Sequence, residues 1–186
     1  MQYNHAMSWQ KEIRMKFGYR LLGNWVANLL SAPYFTFIGE KIPNEYTKRE
    51  ISDLGCGDGY ATEKIKELFR ARSIKGYETN KYLIKRARQR GLTVEEIDLE
   101  KQVPKGEMAT VWGVVHHLRN KEGFLKKIQS NFKFAVFNEP VKSFWAFLDG
   151  GEPLPEQVWQ NLFHKTLGDC TFLRFKDNLF IFWKML

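Results

Sequence analysis

With 186 residues the chain is long enough to bury one sizeable core and too short for two ordinary domains joined by a linker. A hydrophobic share of 44% and an aromatic share of 15% are those of a globular protein, and no run approaches the roughly 20 apolar residues that cross a bilayer. The formal net charge of +8 favours anionic partners: nucleic acid, an acidic membrane surface or acidic small molecules.

Residues Met1 to Gln10 lack the basic flank and apolar centre of a secretory signal, so a cytoplasmic location is expected. Cys56 and Cys170 make neither a disulfide framework nor a metal-ligand pattern. Both are expected to be free thiols, and no metal is expected.

From Ser8 to Leu30, apolar residues recur at helical spacing: Trp9, Ile13, Phe17, Leu21, Leu22, Trp25, Val26, Leu29 and Leu30. The pattern predicts one helix, or two broken near Gly18 or Gly23, ended by Pro33 with the aromatic stretch Tyr34 to Phe37 behind it. Three roles stay open for it: a helix packed on the domain, a lid over a ligand site, or a basic amphipathic helix on a membrane surface. Residues 1–45 are accordingly set apart as an N-terminal helical extension of a single domain whose core runs over 46–186.

From Glu50 onward strands and helices alternate. Strands are predicted at Ile51–Leu54, Ser73–Tyr77, Thr93–Ile97, Met108–Val115 and Phe134–Phe137, and helices at Thr62–Ala71, Asn80–Arg90 and Lys121–Phe132. Near-continuous apolar strands alternating with helices imply a parallel sheet, and so a doubly wound, Rossmann-like α/β domain. A further helix is expected at Val158–Leu167, closed by Gly168. Thr171–Phe175 and Leu179–Trp183 then read as a hairpin turning at Lys176-Asp177-Asn178, so an antiparallel pair ends the parallel sheet. Lys81, Lys85 and Arg88 share one helical side, either a solvated face or a phosphate-binding stripe.

The chemistry centres on Asp53-Leu54-Gly55-Cys56-Gly57-Asp58-Gly59, a glycine-studded turn between the first strand and the next helix. Glycines let its backbone take positive φ and approach a ligand closely. In a doubly wound sheet, ligands lie outside the carboxyl ends of the strands where the strand order reverses, which places this turn at the site. Glu78 follows the second strand, where its carboxylate can accept both hydroxyls of a ribose, and Asp98 ends the third, where it could accept from an adenine amine. A dinucleotide fingerprint is absent, because the third glycine comes one residue early and Asp58 would repel a phosphate; a P-loop would need Gly-Lys-Ser/Thr. Asp53 and Asp58 instead favour a ligand that carries positive charge.

Asp53 to Gly59, Glu78, Asp98-Leu99 and Val114-Val115-His116-His117-Leu118, in that order, resemble the class I S-adenosylmethionine-dependent methyltransferases over about Glu50 to Pro140. The resemblance implies S-adenosylmethionine as cofactor and S-adenosylhomocysteine as product. It also implies that Asp53, Gly55, Cys56, Gly57, Asp58 and Gly59 hold the methionine end, Glu78 the ribose, and Asp98 with Leu99 the adenine. Trp112 and Gly113 would lie near the cofactor at the end of the fourth strand, and the sheet would have seven strands with the last antiparallel. Glu107 stands where that family often has Asp.

In-line methyl transfer needs alignment and a dry pocket more than a dedicated acid or base. His116 or His117 could orient or deprotonate a hydroxyl or amine, or one could pack while the other caps the following turn. Glu139, in Asn138-Glu139-Pro140 at the mouth of the fifth strand, is the other candidate base or amine ligand. Motifs for methylating base amines or attacking pyrimidines are missing. The segment Val141 to Pro155, with Phe144, Trp145 and Phe147, lies where this family varies for substrate. The acceptor is unidentified and a small molecule is favoured; RNA, protein, and a non-catalytic cofactor-binding partner subunit are the alternatives, with a nicotinamide-linked oxidoreductase behind them.

Overall fold

The computed structural model describes residues 32–142 and 151–186. The predicted Ser8–Leu30 helix and the aromatics Phe144, Trp145 and Phe147 lie outside the described residues.

Residues 32–39 are helical (α1), so Pro33 and the aromatic stretch Tyr34 to Phe37 share one helix. Proline's fixed φ is itself helical. Phe35 and Ile38, three residues apart, are buried against the sheet.

Beyond α1 the order is β1 (Glu50–Leu54), α2 (Tyr60–Leu68), β2 (Ser73–Glu78), α3 (Lys81–Gln89), β3 (Val94–Glu96) and β4 (Met108–Trp112). It continues through α4 (Lys121–Asn131), β5 (Phe134–Pro140), α5 (Glu156–Leu167), β6 (Cys170–Phe175) and β7 (Asn178–Lys184). The seven strands form one sheet in the order β3-β2-β1-β4-β5-β7-β6, with β1 to β5 parallel and β7 antiparallel to both its neighbours. This is the doubly wound, mostly parallel sheet with a C-terminal antiparallel hairpin that the pattern predicts.

Boundaries move where local chemistry decides them. Asp58 Oδ1 accepts the Tyr60 N–H at 3.2 Å, and the helix starts at Tyr60 rather than Thr62. It stops at Leu68, because Arg70 turns to φ +48. β4 ends at Trp112 rather than Val115, since Gly113 has φ +67 and Val115–His117 form a single 3-10 turn. β5 runs on to Pro140 because β7 pairs with it residue for residue as far as Asn178. Asn80 and Asn120 cap α3 and α4, their side chains accepting the free N–H groups of the first turn.

Alternate residues of β5 serve the two sides of the sheet. Ala135 and Phe137 meet Leu125, Ile128, Trp159 and Phe163 of α4 and α5, while Val136 meets Ile38 of α1 and Ile65 of α2. Cys56 packs with Ile84 and Ala87 of α3. At the amino ends of the strands, Glu107 binds Arg49 at 2.7 Å and Arg72 at 2.8 Å and accepts the Glu50 N–H, joining β1, β2 and β4 at the end opposite the glycine turn.

Candidate functional site

β1 and β4 are neighbours, although β2, β3 and two helices separate them in sequence, so the strand order reverses at β1. The glycine turn leaves β1 there. Its backbone is tied sideways to β2: the Gly55 and Cys56 N–H groups donate to the Tyr77 carbonyl at 2.7 and 3.1 Å. On the other side it touches the loop after β4. A Cβ at Gly55 would lie 2.5 Å from Val114 Cγ2, and Gly55 has φ +78, so both space and conformation require glycine. A Cβ at Gly57 would meet open space, which makes this the turn's free face.

Glu78 stands beside that face. One carboxylate oxygen accepts the Gly57 N–H at 3.1 Å and the other accepts those of Thr79 and Asn80 at 2.8 Å. Oε1 thus has both its lone pairs engaged, and Oε2, with one donor, keeps a lone pair free to accept from a ligand on the turn. Next along the sheet edge, Ile97 N–H donates to the Glu78 carbonyl, and Asp98 follows with its carboxylate on the Glu100 N–H and 3.2 Å from Lys101. Leu99 is buried beneath.

The two acids inside the turn are engaged by the fold. Asp53 is buried, with Oδ2 accepting the Thr62 hydroxyl at 2.5 Å and Oδ1 the Thr110 hydroxyl at 2.7 Å. Burial pushes its pKa up to about 6 against the two hydroxyl bonds, and Glu78 adds to the rise. Asp53 therefore braces β1 to β4 and α2 from within. Asp58 accepts the first N–H of α2, that of Tyr60, and lies 3.6 Å from Arg90 and 3.9 Å from Arg86. Burial, first, and the acids Asp53, Glu78 and Asp58 raise the Cys56 pKa, so its thiol stays protonated.

Beyond the switch point, Glu139 and His116 form a buried pair. Glu139 Oε2 lies 2.8 Å from His116 Nδ1 and accepts the His116 N–H, while Oε1 accepts the Val114 and Val115 N–H groups at 3.0 and 2.8 Å. One acid of β5 thus organises the whole loop after β4. The Cδ2 edge of the His116 ring is covered by Gly151, where a Cβ would come within 2.8 Å of Nε2 and 3.0 Å of His117 Nδ1. Glu152 N–H donates to the His116 carbonyl at 2.8 Å, which seats one end of the Val141 to Pro155 segment on this loop, and Val141 and Lys142 pair with Leu154, which joins its two described ends.

Trp112 stacks on Phe35 of α1, with ring centroids 5.4 Å apart, and meets Phe180 of β7 edge-on at 5.5 Å. Gly113 N–H donates to the Asn138 carbonyl at 2.7 Å. The carboxyl edge of the sheet therefore brings together Asp98, Glu78, the glycine turn, Gly113 and the His116–Glu139 pair, in strand order. Sequence reasoning missed Thr62 and Thr110; a threonine inside the apolar run of β4 was the available signal. The basic side of α3 is partly committed to the fold, since Arg88 donates to the Val94 carbonyl at 2.7 Å.

Neither a protein-family model nor a curated protein matches the chain. Solved structures do. Human N-acetylserotonin methyltransferase in complex with SAM aligns with a TM-score of 0.70 at 15% identity, over 89% of this chain and 57% of its own. An O-methyltransferase family protein from Burkholderia thailandensis aligns at 0.67 and 10% identity, over 87% and 57%. An S-adenosylmethionine dependent methyltransferase from Mesorhizobium loti aligns at 0.63 and 14%, over 83% and 97%. The chain spans little more than half the length of the first two. At these identities the likeness shows the fold, which is the Rossmann-like fold of class I methyltransferases.

Proposed function

We propose that the chain is an S-adenosylmethionine-dependent methyltransferase acting on a small-molecule acceptor. The observation that carries this reading is the placement of Glu78: its carboxylate lies 3.1 Å from the Gly57 N–H, at the free face of a glycine turn on the switch point of this fold. A carboxylate there suits ribose hydroxyls and repels a pyrophosphate. The open face at Gly57 leaves room for a ligand against the backbone.

S-adenosylmethionine, when bound, supplies an electrophilic methyl group on a sulfonium. The chain's own part is to hold and to orient. Glu78 would accept from the ribose, Asp98 from the adenine amine with Leu99 beneath it, and the Gly55 to Gly59 backbone would hold the methionine end, braced by Asp53. Trp112 and Gly113 would border the transferring group. Both oxygens of Glu139 are occupied, so it serves as a positioning residue that holds the His116 ring and main chain in place. His116, held by Glu139, is the candidate base for an acceptor hydroxyl or amine. The His117 ring packs against it at a tilt, with centroids 4.0 Å apart, and supports the same loop.

A small acceptor is supported by how the arginines are used: Arg49 and Arg72 pair with Glu107, Arg86 and Arg90 face Asp58, and Arg88 binds a carbonyl. Thermal unfolding tests the reading. S-adenosylmethionine or S-adenosylhomocysteine should raise Tm by mass action and NAD should not; a shift with NAD alone would sink it.

A further inference from the structure

Asn138 is out of place by the logic of its strand. It lies near the carboxyl end of β5, in register with Trp112 of β4 on one side and Phe180 of β7 on the other, so the three side chains stand in a row on one face of the sheet. Further along that face come Val136 and Phe182, both apolar. Asn138 is only 6% exposed, and its Oδ1 is buried without a hydrogen-bond partner. Its main chain is satisfied, the carbonyl receiving Gly113 N–H. Only the carboxamide is left over. A leucine would fill the same volume among these neighbours without leaving a polar atom unpaired, so an amide here costs stability that the fold does not recover.

Such an orphan is expected where a ligand supplies the missing bond. The surroundings say which kind. Trp112 presents a π-face at the mouth of β4 that Phe35 of α1 covers, parallel within 13°, and Phe180 closes the row from β7. This end of the sheet lies on the other side of the glycine turn from Glu78 and Asp98. An oxygen acceptor in an aromatic setting with no cation beside it on its strand neighbours selects a neutral planar ring bearing an O–H or N–H. It gives a phosphate or carboxylate nothing.

We propose that Asn138 is the acceptor-recognition residue, its Oδ1 accepting a hydrogen bond from a hydroxylated or N–H-bearing aromatic molecule seated against Trp112. This rests on the methyltransferase reading, because it takes the space beside the cofactor turn as the acceptor's place. The seated ring displaces Phe35 from Trp112, as α1 carries the only partner that stacks on this indole among the described residues.

The test uses two matched pairs of probes, 2-naphthol with 2-methoxynaphthalene and indole with 1-methylindole, titrated into S-adenosylhomocysteine-saturated protein and followed by calorimetry. Wild type should bind at least one donor-bearing member tenfold or more tightly than its methylated twin. Asn138→Leu should abolish that preference, hold or raise Tm, and keep the Tm shift with S-adenosylhomocysteine. Asn138→Ala, which keeps only a smaller side chain, should lose the preference too and serves if the leucine variant does not fold. Overturning results are a preference that survives in either variant, or a wild type that binds no probe or does not discriminate. If wild type shows no shift with S-adenosylhomocysteine, the methyltransferase reading fails instead, and the two failures are read from separate measurements.

Discussion

The Glu139 carboxylate on β5 and the His116 ring in the loop after β4 meet at 2.8 Å with almost no solvent access to either, though 23 residues separate them. Three backbone N–H groups converge on the same carboxylate. The loop bordering the proposed acceptor site is thus held by one side chain. Its shape is set by an acceptor-only group facing four donors.

Glu139→Gln replaces one of those oxygens with a donor while keeping the size. Whichever way the amide turns, some donors lose their partner. We expect the urea midpoint to fall by the equivalent of about 3 kcal/mol, since each buried donor left unpaired costs about 1–3 kcal/mol. An unchanged midpoint would show that the loop holds its shape without the acid.

Asp53 makes stability depend on pH. Its folded pKa of about 6 exceeds the ordinary value of 3.8, so between those two values the folded state binds the proton that the unfolded state has released. Its contribution is therefore fully present below about pH 4 and is lost as pH rises through about 6. The shift of about two units corresponds to about 3 kcal/mol. Asp53→Asn should remove that fall, and denaturant titrations at pH 4, 5, 6 and 7 would reveal it as a flatter profile. Parallel profiles for the two proteins would refute the assignment.

For Glu78, the substitution Glu78→Gln keeps an acceptor for the Gly57 N–H but removes the charge. Binding of S-adenosylhomocysteine should weaken by about ten- to a hundredfold, because charge-assisted hydrogen bonds contribute about 1.5–3 kcal/mol. Calorimetric titration checks this, and equal affinity would move the ribose elsewhere.

Gly55→Ala meets two obstacles at once, φ +78 and the Val114 methyl 2.5 Å from the new carbon. A left-handed alanine alone costs about 1–2 kcal/mol, and the collision adds to it. Combining it with Val114→Ala should recover the collision share and leave the conformational cost. A double-mutant cycle on unfolding free energies should then show coupling of about 1 kcal/mol. Strict additivity would mean that the two loops do not touch.

Much of the fold was legible because it is written in periodicity. The apolar runs of β4 and β5 read as strands buried on both faces, and Lys176-Asp177-Asn178 read as the turn of the final hairpin. Glu78 and Asp98 were legible as well, since a residue directly after a parallel strand must emerge at the ligand edge of the sheet. The end of β5 was not. It runs to Pro140 only because β7, forty residues on, supplies the antiparallel partner.

Alone, the sequence determined the class of fold and which acids stand at the carboxyl edge of the sheet, because these depend on local pattern and on the direction of each strand. Only the tertiary structure decided what the side chains at that edge do. Asp53 faces two hydroxyls, 9 and 57 residues away, and so braces the turn. Glu139 is enclosed by the donors it gathers, and Asn138 stands unpaired between Trp112 and Phe180. Those partners are set by which strands become neighbours and in what register, a long-range choice made by burial of the whole sheet.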